Sequence, residues 1–220
     1  RYYRLGCRKG PGPACNMLAA DYVRSGTAES IEIAAGLYEQ GCRRGDQAAC
    51  TALADATFEH RMGSGFLALA TSLYRAACEA GYGDGCLGLG NLARNGATEA
   101  GLPGEAPGLF AAGCNMGSGQ SCYAAGAMYL VGVEVPADAS VALSWFTKGC
   151  SEGSARACVG AAIASRLLPE APNAGAAVSH LWIEQARAID PAEPLLTMFE
   201  DWVAAGASPE ELVVQASPLK

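Results

Sequence analysis

Apolar and small residues along this chain return at intervals of three and four, and no stretch alternates in the two-residue rhythm of a strand. Leu18, Ala19 and Tyr22 form one such set and Ala125, Gly126 and Tyr129 another, each standing three, four and seven positions after a cysteine. Residues spaced in this way share one face of a helix. Other stretches, such as Phe66 to Cys78 and Val141 to Cys150, end with an aromatic residue four positions before a cysteine, which again stacks the two on one helical face. The pattern predicts helices throughout. The most apolar run, Cys122 to Val135, is broken by glycine and falls short of the roughly 18–20 residues that a membrane-spanning helix needs, so it predicts a buried helix.

The helical signal is periodic. The cysteines fall in five couples with the same spacing: Cys7 and Cys15, Cys42 and Cys50, Cys78 and Cys86, Cys114 and Cys122, Cys150 and Cys158. Successive couples start 35, 36, 36 and 36 residues apart, a period that marks an array of one supersecondary unit per repeat. Four residues before each first cysteine stands an aromatic (Tyr3, Tyr38, Tyr74, Phe110, Phe146), and three after it a glycine (Gly10, Gly45, Gly81, Gly117, Gly153). A small residue precedes each second cysteine (Ala14, Ala49, Gly85, Ser121, Ala157). Each glycine predicts a left-handed helix end, and Asp46, Ser118 and Ser154 predict the N-caps that follow, with Pro11 as the helix-start residue of the first repeat. The 26 or 27 residues from one couple to the next hold two helices of three to four turns.

Ten cysteines in 220 residues suit a chain that matures outside a reducing cytosol, where structural disulfides persist. Pairing within a helical hairpin, as Cys15 with Cys42, leaves Cys7 and Cys158 without partners, whereas pairing within each couple uses all ten. The next first cysteine is missing, since Ala186 holds its place, although Trp182 keeps the aromatic column. Zinc needs four ligands around one ion, commonly at shorter spacings or with histidines, and His60 and His180 belong to no cysteine cluster. No metal and no cofactor is expected. A net charge of −7 with scattered Lys and Arg argues against nucleic acid or an anionic membrane surface as partner, and half of the residues are apolar, ample for a core.

The unit aromatic-x3-C-x2-G-x3-[AGS]-C, as in Tyr74-Arg-Ala-Ala-Cys78-Glu-Ala-Gly81 running to Gly85-Cys86, resembles the Sel1-like repeats in their cysteine-rich form, typified by the Helicobacter cysteine-rich proteins and related to tetratricopeptide repeats. The resemblance implies an all-α fold, a right-handed αα-solenoid of about five 36-residue repeats, one disulfide per repeat, and a periplasmic or secreted location. Residues 1–189 would form the repeat domain, its first repeat entered partway through a second helix with further repeats upstream, and 190–220 the C-terminal capping helices and tail. The family's Gly-x-Gly-Val loop is blurred here and survives in part as Gly132-Val133, and Pro107-Gly108 inside one second helix should shorten or bend it. Asp190-Pro191-Ala-Glu193 and Ser208-Pro209-Glu-Glu211 read as two further helix starts, and Leu195, Leu196, Phe199 and Trp202 as the apolar face covering the last repeat.

Chemistry is sparse. Some members of that family have been linked to weak β-lactam binding or hydrolysis, but the one Ser-x-x-Lys, Ser217 to Lys220, stands at the chain end without companion motifs. Gly83-x-Gly85-x-x-Gly88 has the letters of a dinucleotide fingerprint, yet follows a helix rather than a strand and reads as a turn with a close helix contact. His60 reads as a solvated helix-end residue, and the pairs Glu29 and Glu32, Glu210 and Glu211 as cap and surface acids. What remains is surface. If positions plus 3, 4 and 7 face the core, plus 1, 5 and 8 line the concave face of the first helices, which selects Asn16, Asp55, Phe58, Asn91, Arg94 and Tyr123 as candidate binding residues. Phe58 and Tyr123 are the more telling as exposed aromatics. The expected function is an exported, non-catalytic scaffold that binds a protein or peptide, with a cell-envelope assembly as its setting. A periplasmic peptidoglycan or β-lactam hydrolase and a cytoplasmic adaptor with reduced cysteines are the alternatives.

Overall fold

The staples predicted by the cysteine spacing are present at every couple. In the computed structural model, which describes residues 6–7, 10–59, 65–96, 105–168 and 176–206, the sulfurs of each couple lie 1.95 to 2.12 Å apart with Cα atoms 4.5 to 4.7 Å apart. That is bonding geometry. Among the described residues all regular structure is helical, and no helix is long and apolar enough to cross a membrane.

Two compact units divide the chain, Arg1–Ala106 and Pro107–Lys220. The first holds α1 (Pro13–Val23), α2 (Ala28–Cys42), α3 (Gln47–Glu59), α4 (Phe66–Glu79) and α5 (Gly83–Arg94). Consecutive helices pack as antiparallel neighbours, and α1, α3 and α5 also touch in sequence, so the first helices form one layer. The second unit holds α6 (Ala106–Asn115), α7 (Gly119–Val131), α8 (Ala139–Ser151), α9 (Ala155–Arg166), α10 (Ala176–Ile189) and α11 (Pro194–Ala205). There α7, α9 and α11 make the corresponding layer. The C-terminal helix α11 thus sits where the first helix of another repeat would sit.

The corner between layers is built the same way four times. Gly45, Gly81, Gly117 and Gly153 all take φ between 83° and 87°. A side chain is strained in that region, which is why glycine recurs there. The residue after each glycine donates its N–H back to the carbonyl of the residue before the first cysteine: Asp46 to Gly41, Tyr82 to Ala77, Ser118 to Gly113 and Ser154 to Gly149, at 2.9 to 3.2 Å. This is the six-to-one closure of a Schellman turn. Ser118 and Ser154 then cap α7 and α9 by accepting from Ser121 and Ala157, and Asp46 accepts from Ala48 and Ala49, as their positions predict. Tyr82 breaks the column and makes no side-chain cap.

Packing explains the remaining columns. Tyr38, Tyr74, Phe110 and Phe146 are all buried. Phe146 is held between two glycines: a methyl group added at Gly126 would lie 2.7 Å from its ring, and one at Gly160 2.6 Å. The glycine before a first cysteine does the equivalent for the staples. A methyl on Gly149 would meet Cys122 Cβ at 2.8 Å and Ala157 Cβ at 2.7 Å, so that repeat lies directly on the clip of the one before. The position four after each second cysteine (Ala19, Ala54, Gly90, Gly126, Ala162) is buried in every repeat.

Two helix starts differ from expectation. The first repeat begins at Pro13, with Gly12 at the cap, rather than at Pro11. A methyl group at Gly12 would lie 2.7 Å from both Gly41 O and Asp46 Cβ, so only glycine fits at this cap. At the other end α11 begins at Pro194, not Pro191: Asp190 accepts from Ala192 N in a turn of its own, while the buried Glu193 caps Leu195 and is paired with Arg156 at 3.1 Å. The second of two competing prolines wins because its cap is anchored. Pro107 lies in the first turn of α6, a helix of only 10 residues, in line with the expected shortening. The start expected at Ser208 lies outside the described residues.

Candidate functional site

Of the six candidate binding residues, the five in the first unit keep part of their surface and the one in the second does not. Asp55 is exposed, and Asn16, Phe58, Asn91 and Arg94 are half-buried. Tyr123, expected to be exposed, is only 9% so. Its ring packs 5.7 Å from that of Phe146, and the Arg156 guanidinium covers it at 5.8 Å. The reason is general in this unit: positions plus 1 and plus 5 face the following first helix rather than solvent. Tyr123 and Ala127 are clustered with Ala157, Ala161 and Ala164 of α9, and Val159 and Ile163 with Leu196, Phe199 and Trp202 of α11. In the first unit the same columns carry four polar residues, Asn16, Thr51, Asp55 and Asn91, beside Ala20 and Leu87, and only Thr51 among them is buried.

Asp55 is the electrostatic centre of that open face. Its Oδ1 accepts from the Tyr74 hydroxyl at 2.5 Å. The residue as a whole keeps an exposed edge, but the carboxyl is held above the usual carboxylate range, first by burial and then by the like charges of Glu59 and Asp84, against which the Tyr74 hydroxyl works. Tyr74 is pushed upward in turn, by burial and by its bond to Asp55. Tyr38 and Tyr82 are shifted the same way, each by burial first, with Asp55 among the charges that each one feels. Tyr74 thus bonds the acid directly, and Tyr38 and Tyr82 feel its charge. Phe58 adds an aromatic contact with Phe66, centroids 6.3 Å apart. The arrangement offers acceptors and negative charge to a cationic or hydrogen-bond-donating group; it pairs no nucleophile with a base.

An acid whose folded pKa is raised binds its proton more tightly in the native state, so it opposes folding at neutral pH; the opposition fades as pH falls through the raised native value and is gone below the unfolded value near 4. Asp55→Asn keeps an acceptor for Tyr74. It is expected to raise the melting temperature at pH 7, with the gain vanishing by about pH 3.5, as a pair of thermal melts by circular dichroism would show. An equal gain at both pH values would contradict the placement of the charge.

The other sequence candidates resolve into packing or fall outside the described residues. Gly85 and Gly88 are required by close approach: a methyl at Gly85 would meet the Cys78 backbone at 2.5 Å, and one at Gly88 the Tyr74 ring at 2.2 Å. Glu29 lies in the first turn of α2, and Glu32 is exposed. His180 is exposed beside Glu184, 3.9 Å away. His60, Glu210, Glu211 and Ser217 to Lys220 lie outside the described residues, as does Tyr3. All ten cysteines are consumed in disulfides. Sequence reasoning missed Met17, exposed on α1 two positions past its cysteine, and the Asp55–Tyr74 bond; the acid five positions after one second cysteine and the aromatic before the next first cysteine were its only signal.

No family model matches the sequence, and no curated protein sequence matches it. Solved structures do match in fold. The chain is similar to a Sel1 repeat protein from Oxalobacter formigenes, with a TM-score of 0.62 and 17% identity over 89% of this chain and 88% of that one. It is also similar to c5321, a protective antigen present in uropathogenic Escherichia coli strains displaying an SLR fold, with a TM-score of 0.66 and 21% identity over 98% of this chain and 46% of that one. The chain thus spans a little under half the length of that antigen. Repeated helical hairpins, a staple at each corner and these two likenesses together give the chain the Sel1-like repeat fold.

Proposed function

We propose that this chain is an exported scaffold that binds a protein or peptide partner along the first helices of its first unit. The observation that carries the reading is the contrast between the two units. At plus 1 and plus 5 the second unit carries buried Tyr123, Ala127, Val159 and Ile163, whereas the first unit carries Asn16, Thr51, Asp55 and Asn91 beside Ala20 and Leu87, and all of these but Thr51 keep part of their surface, as do Phe58 and Arg94 at plus 8. A surface of acids, amides and an aromatic on a rigid stapled frame is suited to a partner segment that presents cationic or donor groups. Export is supported by five disulfides, which persist in oxidising compartments. A place in an envelope assembly would follow from the same address.

Photo-crosslinking in the native source tests this directly. Benzoylphenylalanine at position 55 or 91 should yield a discrete adduct, while the same group at exposed Ile33 or Leu69 on the second helices should not. Equal yields from both faces would sink the reading. Alkylation of intact cells before lysis, followed by peptide mapping, would find no modified cysteine if the chain is exported.

A further inference from the structure

The second unit carries a cleft that the proposed partner surface does not use. It has a volume of about 360 Å³, within the range of small-ligand sites, and lies between α10 and α11 at the C-terminal end of α9. Ile183 and Phe199, both buried, make its floor, and Val203, 41% exposed, part of its wall. Two arginines enter it and are held in opposite ways. Arg187 is consumed, bonded to Glu184 and Glu200. Arg166 is not: its guanidinium stacks 5.6 Å from the Phe199 ring centroid and 5.2 Å from that of Trp202, and its Nε donates to the buried Ser179 hydroxyl at 3.4 Å. Its two terminal nitrogens bond to no acceptor among the described residues.

We infer that this cleft binds the C-terminal carboxylate of a peptide whose last residue is apolar. A guanidinium fixed by two rings and a hydroxyl has already lost its rotamer freedom, so its free edge is pre-organised for a planar, bidentate acceptor. Glu184 and Glu200 border the same space, and Arg187 neutralises them only in part. A monoanion is therefore accepted where a doubly charged phosphate would be repelled. The apolar floor supplies the second requirement. A bare carboxylate would leave Ile183, Phe199 and Val203 uncovered, whereas a chain end carrying an aliphatic side chain covers them and places its charge on Arg166.

The probe is acetyl-Ala-Ala-Leu, titrated as the free acid, as its C-terminal amide and against sodium acetate, with amide NMR shifts followed in the oxidised full chain. The free acid should bind at least about tenfold more tightly than the amide, as expected for a charge-assisted bond to a held cation, with shifts gathered at residues 179–204. Arg166→Gln should remove the difference. Because that change also unstacks two core rings, Val203→Asp serves as the second variant: it sets a negative charge at an exposed wall position and should weaken the free acid by a similar factor while the fold is kept. Equal binding of acid and amide, acetate binding as tightly as the peptide, or full affinity in Val203→Asp would each overturn the assignment.

Discussion

Reduction of the five disulfides is expected to unfold the chain at room temperature. Each clip joins residues 8 apart in sequence, and constraining so short a loop in the unfolded chain is worth about 2.5 kcal/mol on the chain-entropy model. Neighbouring clips are not independent, so their effects combine to less than five times this value. Even a discounted total is as large as the roughly 5–15 kcal/mol by which folded domains exceed their unfolded states. The local cores have little to set against it, because the residues between the layers are mostly alanine and glycine, which bury little apolar surface. Helical circular dichroism at 25 °C should collapse when dithiothreitol has released ten thiols, and removal of one clip by the paired change Cys114→Ala and Cys122→Ala should cost about 2 kcal/mol in urea titrations. An unchanged midpoint after verified reduction would mean that packing alone carries the fold.

The second large effect concerns Phe146, 1% exposed between two glycines. Phe146→Ala should cost about 3–5 kcal/mol, since the ring spans α7 and α9 and neither backbone can close the space. Gly160→Ala alone should cost about 1–3 kcal/mol, because the new methyl meets the ring edge at 2.6 Å while Gly126 blocks retreat on the other side. In the Phe146→Ala background the same Gly160→Ala change should cost nothing, or even stabilise by up to about 1 kcal/mol from its better helix propensity. A double-mutant cycle by urea denaturation measures this coupling. Additive costs would show that the glycine and the ring do not share one space.

Both of these sites are legible in the sequence. The clips are legible from spacing, because a disulfide couples two positions at a fixed separation and repetition multiplies the signal. The aromatic column was legible for the same reason, as were the caps at Asp46, Ser118 and Ser154, since capping is decided within four residues. The helix starts at Pro13 and Pro194 were not, because each depends on a contact from a distant part of the chain: Gly12 against Gly41 in one case, Arg156 holding Glu193 in the other. Tyr123 was misplaced for a related reason. Helical period tells which residues share a face, but not whether that face meets solvent or the next helix, and in the second unit α9 and α11 fill it. The Arg166 cleft left no local trace, being assembled from three helices whose contributing side chains span residues 166 to 204.

The seating of Gly149 on Cys122 has a consequence for how such a gene can change length. Within the second unit this module meets its predecessor through a few positions: the glycine before the first cysteine, the preceding staple, and the aromatic column. Duplicating or deleting one whole 36-residue module would recreate an interface that already exists, whereas inserting a single residue between two of those positions would set a side chain where only hydrogen fits. Variation in copy number should therefore be common among relatives of this chain, and small indels should be confined to the loops between paired helices.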